Sequence, residues 1–78
     1  MVLNLAYCDT ITNIDALQHL TKITTLDLAY CRRITNIDPL QHLTKLTTLN
    51  IEGCEQLRDT EVLSHHPNRF NLTIIDET

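Results

Sequence analysis

Three residue types capable of chemistry recur in this chain at one fixed interval. Cys8, Cys31 and Cys54 lie 23 residues apart, and so do His19, His42 and His65, with His66 beside the last. Tyr7 and Tyr30 each precede a cysteine directly, and Gly53 stands where a third tyrosine would fall. Thiolates and imidazoles are the usual ligands of soft and transition metals. A histidine row that charges below about pH 6.5 could also sense protons. Three thiols in a row at the ~5 Å spacing of adjacent strands nevertheless make poor tetrahedral geometry, because zinc gathers its ligands around a centre. The cysteines therefore read as a structural ladder of buried thiols bonded weakly to backbone. The histidines read as an exposed position copied by duplication, on a convex side where separations widen. No metal and no cofactor is expected.

A catalytic constellation is equally hard to assemble. The lone serine, Ser64, sits in no nucleophile elbow, and a single glycine cannot build a phosphate loop. Asp15 and Asp38 read as helix caps rather than as an acid–base pair, and a small convex core offers no enclosed pocket. The expectation is a protein that is not an enzyme. Six basic residues against ten acidic ones, a net charge of −4, cannot form a phosphate-tracking stripe, which argues against nucleic acid. No apolar run approaches the ~20 residues of a membrane span, and no secretory signal pattern opens the chain. An odd cysteine count at equal spacing fits a reducing compartment, here the cytoplasm, better than a disulfide framework.

These columns are positioned by a repeat. Residues 3–25 and 26–48 agree at 18 of 23 positions, and a more diverged copy begins at Leu49. Leu3, Leu26, Leu49 and Leu72 share one column, and Leu5, Leu28, Ile51 and Ile74 the next but one. That alternation predicts a short strand with its leucines on one side and Asn4, Asp27, Asn50 and Thr73 on the other. Ile11/Ile34/Leu57, Ile14/Ile37, Leu17/Leu40/Leu63 and Leu20/Leu43 then follow at three-residue intervals, predicting a turn and a short 3₁₀ or helical return. Asp15 and Asp38 are the expected N-caps, with Pro39 at the first helical position. In the third copy Asp59 or Thr60 would cap a helix over 61–66 that Pro67 stops. No single copy can bury its own stripe, so stacking must pool the leucines. The chain reads as one domain, 1–78, with repeats at about 3–25, 26–48 and 49–71 and a C-terminal cap strand at about 71–76. The fold class is α/β: a right-handed solenoid with a short parallel sheet of about four strands and 3₁₀ or short-helical returns.

The segment from Ile23 through Cys31 fits L-x-x-L-x-L-x-x-N/C, as does Leu46 through Cys54, and the chain resembles the leucine-rich repeat family on these residues. Its return segment ITNIDPLQHLTKL is similar to internalin-like and phosphatase-regulator-like classes, and its cysteines to the cysteine-containing classes. The resemblance implies a non-catalytic protein–protein interaction module that binds a partner on its concave sheet. The residues it puts there are Asn4, Thr25, Asp27, Thr48, Asn50, Glu52 and Thr73, with Tyr7 and Tyr30 on the rim as interface anchors. Family members usually carry more repeats and a polar cap at each end. Here the strand Val2, Leu3, Asn4, Leu5, Ala6 is expected to be an uncapped edge through which two copies could pair as a homodimer. The alternative is a fragment of a longer repeat protein. Arg69, His66 and the acidic end Asp76, Glu77 break the pattern and predict a closed, charged C-terminal end.

Overall fold

The computed structural model describes residues 1–57 and 60–76. Four three-residue strands, β1 (Val2–Asn4), β2 (Thr25–Asp27), β3 (Thr48–Asn50) and β4 (Thr73–Ile75), pair in parallel in chain order. Each crossover carries a short helical piece: 3₁₀ turns at Asp15–His19 and Asp38–His42, then an α-helix, α1, at Glu61–Ser64. Parallel neighbours require such crossovers, and the repeat supplies one per coil. No helix among the described residues is long and apolar enough to cross a membrane.

The core follows the leucine columns. Leu26, Leu28, Ile34, Ile37, Leu40 and Leu43 of the second coil are fully buried, as are Ile23, Leu46 and Leu49. Burying one such side chain contributes roughly 1.5–3 kcal/mol, and only a coil with neighbours on both sides collects it in full. The first coil has one neighbour: Leu3, Leu5, Ile11 and Leu17 are partly buried, and Leu20 is 39 % exposed.

The start of each return segment differs from expectation. Asp15 and Asp38 are the first residues of their 3₁₀ turns and not the caps, which are Ile14 and Ile37. The capping bond comes from one residue earlier. Asn13 Oδ1 accepts from the Asp15 N–H at 3.3 Å, and Asn36 Oδ1 from the Asp38 N–H at 2.6 Å. An asparagine two residues before the helix can close such a turn while the aspartate, inside it, faces the positive end of the peptide dipoles. In the third coil Thr60 precedes α1 without a side-chain capping bond, and Asp59 lies outside the described residues. The helix ends at Ser64, short of the expected 61–66, because His66 turns into the core.

The last strand is displaced as well. Leu49 pairs with Ile74, a step of twenty-five residues, where β1–β2 and β2–β3 step by twenty-three. Leu72 is therefore not the partner of Leu49. Two successive turns, closed by Arg69 N–H to His66 O at 3.0 Å and Asn71 N–H to Asn68 O at 2.9 Å, absorb the extra residues. An even shift preserves which side faces inward, so Thr73 and Ile75 stay aligned with Thr48 and Asn50. At the C-terminal end, where a charged closure is expected, Asp76 is exposed, and so are apolar side chains before it. Ile74 and Ile75 are 41 % and 37 % exposed, and Phe70 is 87 % exposed. A three-residue strand pairs the backbone of β3 without bringing a second layer over its own outer side. Glu77, invoked for that closure, lies outside the described residues.

Candidate functional site

Each strand leaves the sheet by the same device. The side-chain oxygen of Asn4 accepts from the Ala6 N–H at 2.9 Å, Asp27 from Ala29 at 3.0 Å, and Asn50 from Glu52 at 3.0 Å. These three residues, read from sequence as partner contacts, thus each give one oxygen to the turn. The following column then reverses the chain with positive φ: 65° at Tyr7, 59° at Tyr30 and 71° at Gly53. A left-handed conformation costs a non-glycine residue roughly 1–2 kcal/mol. It is held here by backbone bonds that extend the ladder, Tyr7 N–H to Ala29 O at 2.8 Å and Tyr30 N–H to Glu52 O at 2.6 Å. Sequence reading missed this strain, and Gly53 in the tyrosine column was its signal.

The tyrosines form the most distinctive surface feature. Their rings stack with centroids 5.1 Å apart and planes 8° from parallel. Tyr30 lies over Gly53 so closely that a Cβ there would come within 2.4 Å of its Cδ1. The Tyr30 hydroxyl donates to Glu52 Oε1 at 3.3 Å. The Glu52 charge, and then that hydrogen bond, hold the phenol above its ordinary value, so it remains a neutral donor. Tyr7 caps the stack and is 71 % exposed.

Around this pair lies the concave row. Thr25, Asp27, Thr48, Asn50 and Glu52 are half-buried on or just after β2 and β3, while Asn4 on β1 and Thr73 on β4 are exposed. On the outer edge Val2 is 70 % exposed, and Leu3, Leu5 and Ala6 are partly buried. Because Asp27 O and Ala29 O accept from Leu5 and Tyr7, the equivalent carbonyls of Asn4 and Ala6 face outward from β1 by the same register.

The cysteine column runs beneath the turns. Cys31 Sγ donates to Leu5 O and Cys54 Sγ to Leu28 O, each at 3.0 Å. All three cysteines are free, and burial pushes the Cys31 and Cys54 thiols up. His19, His42 and His65 are exposed on the return segments, and no group of three potential ligands converges among the described residues. His66 behaves differently from its neighbours in being fully buried. Its Nδ1 accepts from the Asn68 N–H at 3.0 Å, which leaves Nε2 to donate to Leu40 O at 2.9 Å. Asn68 Nδ2 donates in turn to Leu46 O at 2.8 Å. Two polar side chains thus bind second-coil carbonyls where the leucine pattern ends, a device the sequence did not reveal.

A parallel sheet on one side, short helical returns on the other and one coil per repeat define a small solenoid. The family model for Leucine Rich repeats (2 copies) matches residues 2–42 and again 25–65. The chain belongs to the leucine-rich repeat family. No curated protein and no solved structure gives a significant match. Domains of this family generally serve as non-catalytic protein–protein interaction modules.

Proposed function

We propose that this domain holds a protein partner on its concave sheet. The contacts would be Thr25, Asp27, Thr48, Asn50, Glu52 and Thr73, with Asn4 at the edge and the tyrosine pair on the rim. The observation that carries this reading is the exposed Tyr7 ring, stacked on Tyr30, beside a sheet that carries Asp27 and Glu52. Exposed aromatics flanked by polar rims are typical binding anchors. Asp27 keeps a second carboxylate oxygen beyond the turn bond, so it can serve both roles. Three free thiols suit a reducing compartment such as the cytoplasm.

A displayed peptide library selected on the immobilised domain tests this reading. Selected peptides should bind Thr48→Lys, which fills the middle of the sheet, and Glu52→Lys at least tenfold more weakly than the parent. Circular dichroism would confirm that both variants fold. Equal binding to both folded variants would refute the concave site.

A second reading is pairing of two copies through Val2, Leu3, Asn4, Leu5 and Ala6. It is favoured by the partial exposure of Leu3 and Leu5 where Leu26 and Leu28 are fully buried. Sedimentation across a concentration series should then show a dimer that Leu5→Lys returns to monomer. A monomer at every concentration rejects it.

A further inference from the structure

Tyr7 differs from the next tyrosine of its column in how much of its ring is covered. Tyr30 is sandwiched between Tyr7 and the backbone of Gly53, whereas Tyr7 has a ring on one face and is 71 % exposed. Its backbone is fixed by the bond to Ala29 O and by the Asp9 N–H bonded to Tyr7 O at 3.0 Å. The ring is therefore presented at little further entropic cost, a condition for a good anchor. Among the described residues the one cation placed over a ring is Arg69, 4.6 Å from the Phe70 centroid.

The surroundings select the ligand. Asp9 follows Tyr7 in the exit turn, Glu52 holds the Tyr30 hydroxyl, and Asp9 and Asp27 both act electrostatically on the Cys31 thiol. Arg32 and Arg33 are the opposing charges in the next coil, and the influence of Arg32 on Tyr30 is weaker than that of Glu52. A flat ring beside carboxylates favours a cation that can itself stack. Guanidinium does so, being planar and weakly hydrated, whereas an ammonium is a compact, strongly hydrated point charge.

We propose that the open face of Tyr7 receives an arginine side chain from an extended basic segment lying across the concave sheet. This rests on the concave-face reading above and names the class of its partner. Four strands at ~4.8 Å spacing make a sheet about 14 Å wide, which an extended chain rising ~3.3 Å per residue crosses in four or five residues. Basic residues of that segment would lie over Asp27 and Glu52, and its terminal arginine would reach Tyr7.

The probe is a short serine peptide carrying two lysines and one arginine, with lysine-for-arginine and uncharged counterparts, titrated by NMR. Stacking places the arginine methylene protons over a ring, so they should move upfield on binding, which a purely ionic contact would not produce. Tyr7→Gly adopts the conformation its column already uses at Gly53, and Tyr7→Asn is a second variant tolerant of positive φ. Either should abolish the upfield shift and weaken binding about two- to fivefold, the range of an exposed cation–π contact. The lysine peptide should bind more weakly and without that shift.

Binding unaffected by both Tyr7 variants but lost in Glu52→Gln would overturn the arginine platform and leave the concave site standing. Binding unaffected by any of the three would overturn both. Equal affinity for the arginine and uncharged peptides would overturn the platform, with the library selection still deciding the concave site. Tyr7 ring shifts that depend on protein concentration without peptide would assign the face to a second copy and also overturn the proposal.

Discussion

Gly53→Ala is the sharpest test of how the exit turn is built. With φ at 71°, any residue bearing a Cβ there takes on left-handed strain of roughly 1–2 kcal/mol. The new Cβ would also lie 2.4, 2.7 and 2.9 Å from Tyr30 Cδ1, Cε1 and Cγ. Cγ is near the backbone, so a tip rotation cannot clear it and the ring must leave. That movement breaks the bond to Glu52, worth about 0.5–1.5 kcal/mol, and the stack on Tyr7, worth a similar amount. Alanine recovers about 0.4–1 kcal/mol by restricting the unfolded chain. The expected loss is about 2–3 kcal/mol, lowering Tm by about 10–20 °C for a domain of this size. Urea melts of four proteins, with Tyr30→Gly as the second axis, separate the two causes. In the Tyr30→Gly background the same substitution should cost only about 0.5–1 kcal/mol, a coupling of about 1–2 kcal/mol. A coupling under about 0.5 kcal/mol would show that the ring contact does not govern the turn.

Four further outcomes follow from the hydrogen bonds and from the burial of the thiols. Asn36→Ala should destabilise by about 1 kcal/mol in urea, the usual worth of a capping side chain, while Asp38→Ala stays within about 0.5 kcal/mol; the reverse order would restore the aspartates as caps. His66→Leu matches the hydrophobic pattern yet removes the partner of the half-buried Asn68 N–H and of the Leu40 carbonyl, so it should cost about 1–3 kcal/mol; a stabilised variant would refute the role given to His66. Cys8 should alkylate before the buried Cys31 and Cys54. Because burial raises those two thiols, their contribution is intact below the unfolded thiol value of about 8.5. As pH rises from there through the folded values, the unfolded state sheds protons first and stability falls. The urea midpoint should therefore drop less between pH 8 and 10 in a Cys31→Ser, Cys54→Ser variant than in the parent. An identical slope would remove the thiols from that pH dependence.

The sheet, the coil period and the inward leucines could be read from the chain because two near-identical copies print the same pattern twice. Legibility fails where copies diverge or where chemistry is degenerate. The register of β4 was hidden because Leu72 continues the count of 23 by residue type, while the turns after His66 take two residues more. Asn13-Ile14-Asp15 contains two good capping residues, and only the backbone path decides that the asparagine closes the turn. Alternation placed Asn4, Asp27, Asn50 and Thr73 on the strands, but it cannot reveal that Asn4, Asp27 and Asn50 each give an oxygen to the exit turn. Positive φ at Tyr7 and Tyr30 contradicts their local preference. The glycine in the third copy was the one sign that the position, and not the residue, sets that conformation.

The five differences between the two close copies separate architecture from recognition. Ile23 and Leu46 are both fully buried, and exchanging them conserves core volume. Ala16 and Pro39 both sit at the start of a 3₁₀ turn, where proline is preorganised. The other three changes fall at or just after the strand exits and alter the charge there. Asn4 and Asp27 make the same turn bond with the same geometry, so the aspartate adds a negative charge to the sheet without a structural cost. Asp9-Thr10 and Arg32-Arg33 are exposed residues of equivalent turns, and they carry opposite charge beside stacked rings. Each of the two coils thus keeps its leucines, its cysteine and its left-handed exit while the sign of the charge beyond that exit varies independently. If the concave face binds as proposed, single substitutions at the strand exits would change its charge without rebuilding the coil, and those exits are where Tyr7 is 71 % exposed.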